Sequence, residues 1–119
     1  MKILVVEDDE SIRNLLTIIF ENKGHEVYGA SNGKEAITKM DGVDSIITDL
    51  HMPELSGNDF AKAARNANPQ AKIILCFSPI GGINNIEPDC DLFDRILQKP
   101  IRPEEIIGVF GKKVSCARS

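Results

Sequence analysis

The sequence predicts an α/β fold: a doubly wound, five-stranded parallel sheet in the order 2-1-3-4-5, with helices on both faces and a short or irregular fourth helix. Three observations predict it. Short branched apolar runs alternate with segments of helical periodicity along the 119 residues. The first run, Ile3-Leu4-Val5-Val6, is apolar at every position, as in a strand covered on both faces. Three runs end on residues that carry chemistry: Glu7 and Asp8 after the first, Asp49 after Ile46-Ile47-Thr48, and Lys99-Pro100 after Ile96-Leu97-Gln98.

The elements follow in order. Lys2–Val6 is the first strand. Ile12, Leu15, Leu16, Ile19 and Phe20 recur at i, i+3, i+4, i+7 and i+8, one stripe of an amphipathic helix. Asp9 stands before it as a cap whose charge suits the helix dipole, and Gly24 follows as its C′ residue. Residues 26–29 read as a short second strand, and Asn32 as the cap of a helix over 33–40. The third strand spans 43–48. Phe60, Ala63, Ala64 and Ala67 repeat the helical spacing, with Gly57 before them as a turn position of positive φ and Pro69 just beyond. Lys72–Phe77 and Arg95–Gln98 are the fourth and fifth strands. Pro103 fits the first turn of a last helix carrying Ile106, Ile107 and Phe110. Residues 79–88 hold two glycines and two prolines, which argues for a loop with at most one or two helical turns.

Strands alternating with helices imply right-handed crossovers. The strand order itself is taken from the general rule for five such units. It makes the first and third strands neighbours where the winding reverses, and open α/β sheets bind ligands at the carboxyl ends of strands there.

Size and composition bound the function. A chain of 119 residues is one domain with room for a real core. Net charge is −4 with no basic run, which argues against direct nucleic-acid binding. No apolar stretch approaches the roughly 18 residues that span a membrane, and the first residues lead straight into a strand, leaving no room for a signal peptide. Cys76, Cys90 and Cys116 are odd in number and lack CxxC spacing, so they read as free thiols of a reducing cytoplasm, with Cys76 as core packing. His25 and His51 are too few and too separated for a metal cage.

The chemistry gathers at one predicted edge. Adjacent strands lie about 4.8 Å apart, so carboxylates closing neighbouring strands reach one ion. Three carboxylates suit magnesium, which prefers oxygen ligands and keeps several waters. After Asp49 the chain runs Leu50-His51-Met52-Pro53-Glu54-Leu55-Ser56-Gly57, a turn able to aim a backbone carbonyl such as that of His51 at the metal. Lys99 would stand two strands from Asp49, about 10 Å at the backbone, within reach of a four-carbon stem carrying a point charge. A carboxylate nucleophile, a magnesium ion and a lysine are the parts that phosphoryl transfer needs.

These segments together resemble the receiver domain of bacterial two-component response regulators, of the single-domain, chemotaxis-regulator-like kind. The carrying motifs are Ile3-Leu4-Val5-Val6-Glu7-Asp8-Asp9-Glu10, Thr48-Asp49-Leu50-His51-Met52-Pro53 with Gly57, and Lys99-Pro100. The resemblance covers nearly the whole chain and implies a flavodoxin-like fold and one receiver domain over residues 1–119. It implies that Asp49 is the phosphoacceptor, that Asp8 ligates Mg2+ directly, that Glu7 assists through water, that the His51 carbonyl is a ligand, and that Lys99 pairs with the phosphoryl group. The family also places a Ser or Thr at the end of the fourth strand. Counting back from Lys99 by the usual separation lands on Phe77. Either the strand end shifts by one and Ser78 supplies the hydroxyl, or the hydroxyl is missing; Ser78 is the residue favoured here. Where the family often carries an aromatic in the fifth strand, this chain has Ile96.

The expected function is therefore a cytoplasmic phosphorylation switch that takes a phosphoryl group from a histidine kinase phosphohistidine or a phosphotransfer protein. It would catalyse its own phosphorylation and dephosphorylation without turning over a separate substrate. It would signal to a protein target through the face formed by the fourth strand, the segment after it, the fifth strand and the last helix. The alternative is a pseudo-receiver, a phosphorylation-independent interaction module, for which Phe77 and Ile96 speak. An aspartate-nucleophile phosphatase ranks below both, because its Asp-x-Asp pair would follow the first strand.

Overall fold

The computed structural model of the protein describes residues 1–49, 55–77 and 90–98. Its elements are β1 (Lys2–Val6), α1 (Glu10–Asn22), β2 (Glu26–Ala30), α2 (Gly33–Ile37), β3 (Ser45–Asp49), α3 (Gly57–Ala67), β4 (Lys72–Phe77), a 3-10 turn at Cys90–Leu92, and β5 (Arg95–Gln98). Every strand pairing is parallel, as the alternation of elements predicts, and the order is β2-β1-β3-β4-β5, the one expected from the general rule for five such units.

The sheet divides the core into two layers because successive strand residues point to opposite faces. On one face Leu4, Val6, Ile46, Ile73 and Leu75 pack with Ala36 of α2 and with Phe60, Ala61 and Ala64 of α3. On the other, Ile3, Val5, Ile47, Ile74, Cys76 and Leu97 pack with Leu16 and Phe20 of α1. Phe20 and Phe60 are fully buried, one on each face. Each contributes roughly 1.5–3 kcal/mol of hydrophobic stabilisation. Cys76 is buried in the core, as expected of a packing residue.

Local chemistry fixes the helix ends. The Asp9 carboxylate accepts from the N–H groups of Ser11 and Ile12 at 2.8 and 3.2 Å, the expected cap. Gly24 follows the last turn at φ +88°, a conformation that favours glycine. Asn32 caps α2 by accepting from Glu35 N–H at 2.8 Å.

Several boundaries differ from expectation. The third strand runs Ser45–Asp49 rather than 43–48, so Asp49 is its final residue. Val43 lies before it and is still buried. β2 extends one residue further, to Ala30, whose carbonyl accepts from Glu7 N–H at 3.0 Å. α2 stops at Ile37 instead of reaching 40. The N–H groups of Thr38 and Lys39 turn to carbonyls three residues back, Glu35 and Ala36, and the Thr38 hydroxyl also takes Glu35 O at 2.6 Å. Leu15, counted in the apolar stripe of α1, is 56% exposed. In α3 the buried face is Gly57, Phe60, Ala61 and Ala64, while Ala67 is exposed. Gly57 does not occupy a positive-φ turn: it is the first residue of α3, behind the Ser56 cap. The expected last helix with Pro103, Ile106, Ile107 and Phe110, and the glycine-rich segment 79–88, lie outside the described residues. None of the described helices is long and apolar enough to cross a membrane.

Candidate functional site

β1 and β3 are hydrogen-bonded neighbours whose last register pair is Val6 with Thr48. Glu7 and Asp49 each follow that pair by one residue, so both acids arrive at the same level of the sheet edge. Asp8 comes next along the chain. One ligand oxygen from each of Glu7, Asp8 and Asp49 lies within 4.8 Å of the others. Glu7 is 3% exposed and Asp49 7%, whereas Asp8 is exposed.

The donor set is chemically distinctive. It consists of carboxylate oxygens alone, hard ligands of the kind that hold Mg2+ and not the softer N/S sets that favour zinc. Two of the three are buried, where like charges repel strongly and a cation is the natural counter-charge. An exposed third member leaves the site open to solvent. The residues present therefore fit a divalent, oxygen-ligated cation that keeps part of its water shell.

Backbone bonds hold the first strand's acid in place. Glu7 N–H donates to Ala30 O on β2, and Asp9 N–H donates to Glu7 Oε1 at 3.3 Å. On β3, the Thr48 hydroxyl donates to Asp49 O at 3.0 Å.

Of the other residues expected here, His51, Ser78 and Lys99 lie outside the described residues. The register is described as far as Asp49 on β3, Phe77 on β4 and Gln98 on β5. Asp49 pairs with Cys76 on β4, and Cys76 with Leu97 on β5. Lys99 is two residues beyond Leu97 in the sequence. β4 closes on Phe77, immediately before Ser78. Ile96 pairs with Leu75 and packs, half-buried, against the core face that α3 covers.

Sequence pattern alone does not single out Arg13. Its Nη1 donates to Glu7 O at 2.6 Å, from one turn inside α1. The available signal was Gly29, since a glycine inside a strand often marks close approach by another group. Arg13's stem crosses β2 at that residue.

Comparison with known proteins agrees with this arrangement. The family model described as the response regulator receiver domain matches residues 3–110. The chemotaxis protein CheY of Thermotoga maritima is 32% identical over 93% of this chain and 95% of that protein. Two further curated relatives are longer, and the chain spans 11% and 44% of their lengths. Among solved structures, the Vibrio cholerae chemotaxis protein CheY4 superposes with a TM-score of 0.82 at 28% identity, covering 95% of this chain and 98% of that one. The response regulator TrrA of Thermotoga maritima, solved in complex with Mg(2+)-BeF, superposes with a TM-score of 0.76 at 30% identity over 89% of this chain and 92% of that one. The family match takes in every strand and helix described above except the first residue of β1, and the chain belongs to the response regulator receiver domains.

Proposed function

We propose that residues 1–119 act as a single receiver domain that accepts a phosphoryl group on Asp49 in a Mg2+-dependent reaction and then signals to a protein partner. The convergence of Glu7, Asp8 and Asp49 carboxylates within 4.8 Å carries this reading. Asp8 and Asp49 would ligate the ion with the His51 carbonyl, and Glu7 would assist. When bound there, Mg2+ neutralises charge on the transferring phosphoryl oxygens.

The chain's own residues do the rest. An Asp49 carboxylate oxygen attacks phosphorus in line. An O–P bond forms, and the P–N bond of a phosphohistidine breaks. Its electron pair leaves on the imidazole nitrogen, which takes up a proton. The Lys99 ammonium pairs with the added group, and the Ser78 hydroxyl donates to one of its oxygens. The donor is a sensor histidine kinase or a phosphotransfer protein. The output surface is the face of β4, the segment after it, β5 and the C-terminal residues. The domain works in the cytoplasm, without direct contact to nucleic acid or membrane.

A test is incubation with acetyl phosphate and Mg2+, read by intact mass. The expected result is a gain of one phosphoryl group that is lost in Asp49→Asn and on chelation of the metal. A Ser78→Ala variant is expected to phosphorylate more slowly. A second reading, a pseudo-receiver acting without phosphorylation, draws on Phe77 at the end of β4 and Ile96 within β5. No uptake by a folded wild-type chain would establish that reading instead.

A further inference from the structure

The Glu7–Asp8 peptide supplies two of the three clustered acids, and its orientation decides where the Asp8 carboxylate goes. Glu7 N–H is tied to Ala30 O at 3.0 Å. Glu7 O is tied to Arg13 Nη1 at 2.6 Å, a charge-assisted bond from a planar, rigid donor. Glu7 is thus held on both sides of its backbone, and the second restraint comes from a side chain on α1.

That side chain reaches Glu7 by a specific route. Gly29 on β2 pairs in register with Val5 of β1. A Cβ built on Gly29 would stand 3.2 Å from Arg13 Cδ, 3.5 Å from Cγ and 3.7 Å from Nε. The arginine stem therefore lies flat over the one residue of β2 that has no side chain. Glycine inside a strand costs roughly 0.5–1 kcal/mol relative to alanine, and the stem's path accounts for its presence.

Resting on the cation-site reading above, we infer that Arg13 is a positioning residue for the acidic site. It holds the Glu7 carbonyl so that Glu7 and Asp8 converge on Asp49, and Gly29 is the gap that lets it do so. Arg13 acts through the backbone and touches no reacting atom. Charge and positioning make opposite predictions. A cation near the site weakens binding of a second cation, so loss of the guanidinium charge alone would tighten metal binding. Loss of the positioning bond would weaken it.

The experiment is Mn2+ binding to the full chain, read by electron paramagnetic resonance of the free ion and competed with Mg2+. Melting temperature in chelator is measured beside it. Arg13→Met is expected to bind about tenfold more weakly, the scale seen when groups that orient metal ligands are removed. Arg13→Lys, which keeps a donor, is expected to recover to within about threefold of wild type. Gly29→Ala keeps the arginine but crowds its stem. It is expected to bind about threefold more weakly with a melting temperature no lower than wild type, a combination that a merely structural role does not produce. Affinity in Arg13→Met equal to or tighter than wild type overturns the inference. Should that variant not fold, wild-type affinity in Gly29→Ala overturns it equally. Absence of metal binding in folded wild-type protein removes the cation-site reading itself, and the positioning role with it, which separates the two failures.

Discussion

Arg65 and Asp94 form a 2.9 Å ion pair that ties α3 to the start of β5. Each partner does more than bind the other. Arg65 also donates to Ala71 O and Leu92 O, at 2.9 and 3.1 Å. Asp94 Oδ2 also accepts the backbone N–H of Ile73 at 2.8 Å, while Asp94 N–H donates to Ile73 O. The pair thereby sets the register of β5 against β4 from the end of the strands opposite the acids.

Asp94→Ala is expected to lower stability by about 2 kcal/mol, because it strips a partner from the N–H of Ile73, a fully buried residue. Asp94→Asn keeps an acceptor and is expected to lose less. Urea unfolding followed by circular dichroism measures both. Equal stability of Asp94→Ala and wild type would show that the clamp contributes nothing.

Glu35 gives the fold an acid-sensitive element. Its carboxylate is held down to about pKa 2, first by the Ser31 backbone N–H, then by the Lys39 ammonium and the Ser31 hydroxyl. The distances are 2.8, 2.9 and 2.8 Å. A depressed acid stabilises the folded state above its ordinary value of 4.5 and loses that contribution as pH falls toward 2. The Glu35 side chain is 39% exposed, so screening limits the effect to about 1 kcal/mol or less. Urea midpoints of wild type and Glu35→Gln should differ at pH 7 and converge between pH 4.5 and 2. A gap that stays constant through that window would refute the linkage.

Gly33 and Leu55 couple α2 to the residues just after the segment that follows Asp49. A Cβ on Gly33 would stand 2.7 Å from Leu55 Cδ2 and 3.2 Å from its Cβ, closer than packed atoms tolerate. Gly33→Ala is therefore expected to cost about 1 kcal/mol by overpacking. In a Leu55→Ala background the same change should cost almost nothing, and a double-mutant cycle by urea unfolding reads the coupling.

Asp9 sits next to the acidic cluster yet has a separate task as the α1 cap. Asp9→Ala should lower stability by about 1 kcal/mol and Asp9→Ser should restore most of it. Thermal unfolding of the three proteins provides the measurement.

The parts of the fold that were legible in the sequence are those decided locally. β1, β4 and β5 have the bounds expected of them, each built around a short apolar run, and Asp9, Asn32 and Gly24 act at helix ends because capping needs only a few adjacent residues. The acids of the site were legible for a related reason: strand ends plus sheet order place Glu7 and Asp49 together. What escaped is decided by tertiary contact. Leu15 fits the apolar spacing of α1, but the sheet covers a narrower face than that spacing describes, and the buried residues are Leu16 and Phe20. α2 shortens because Thr38 diverts Glu35 O, a competition between side chain and backbone that helical periodicity does not register. Arg13's bond to Glu7 depends on which residue of β2 lies beneath α1, which no spacing along the chain encodes.

β1 has apolar side chains on both faces, so sliding it one position would exchange its two layers and leave greasy surface against greasy surface. Water aversion alone is a poor guard against that error. The polar anchors at the strand's two ends, Lys2 N–H to Asp44 Oδ2 at 2.7 Å and Glu7 N–H to Ala30 O at 3.0 Å, are what penalise it. Accuracy in the acidic pocket is thus inherited from these few terminal bonds, and a chain could stay well collapsed while presenting its carboxylates to the wrong side.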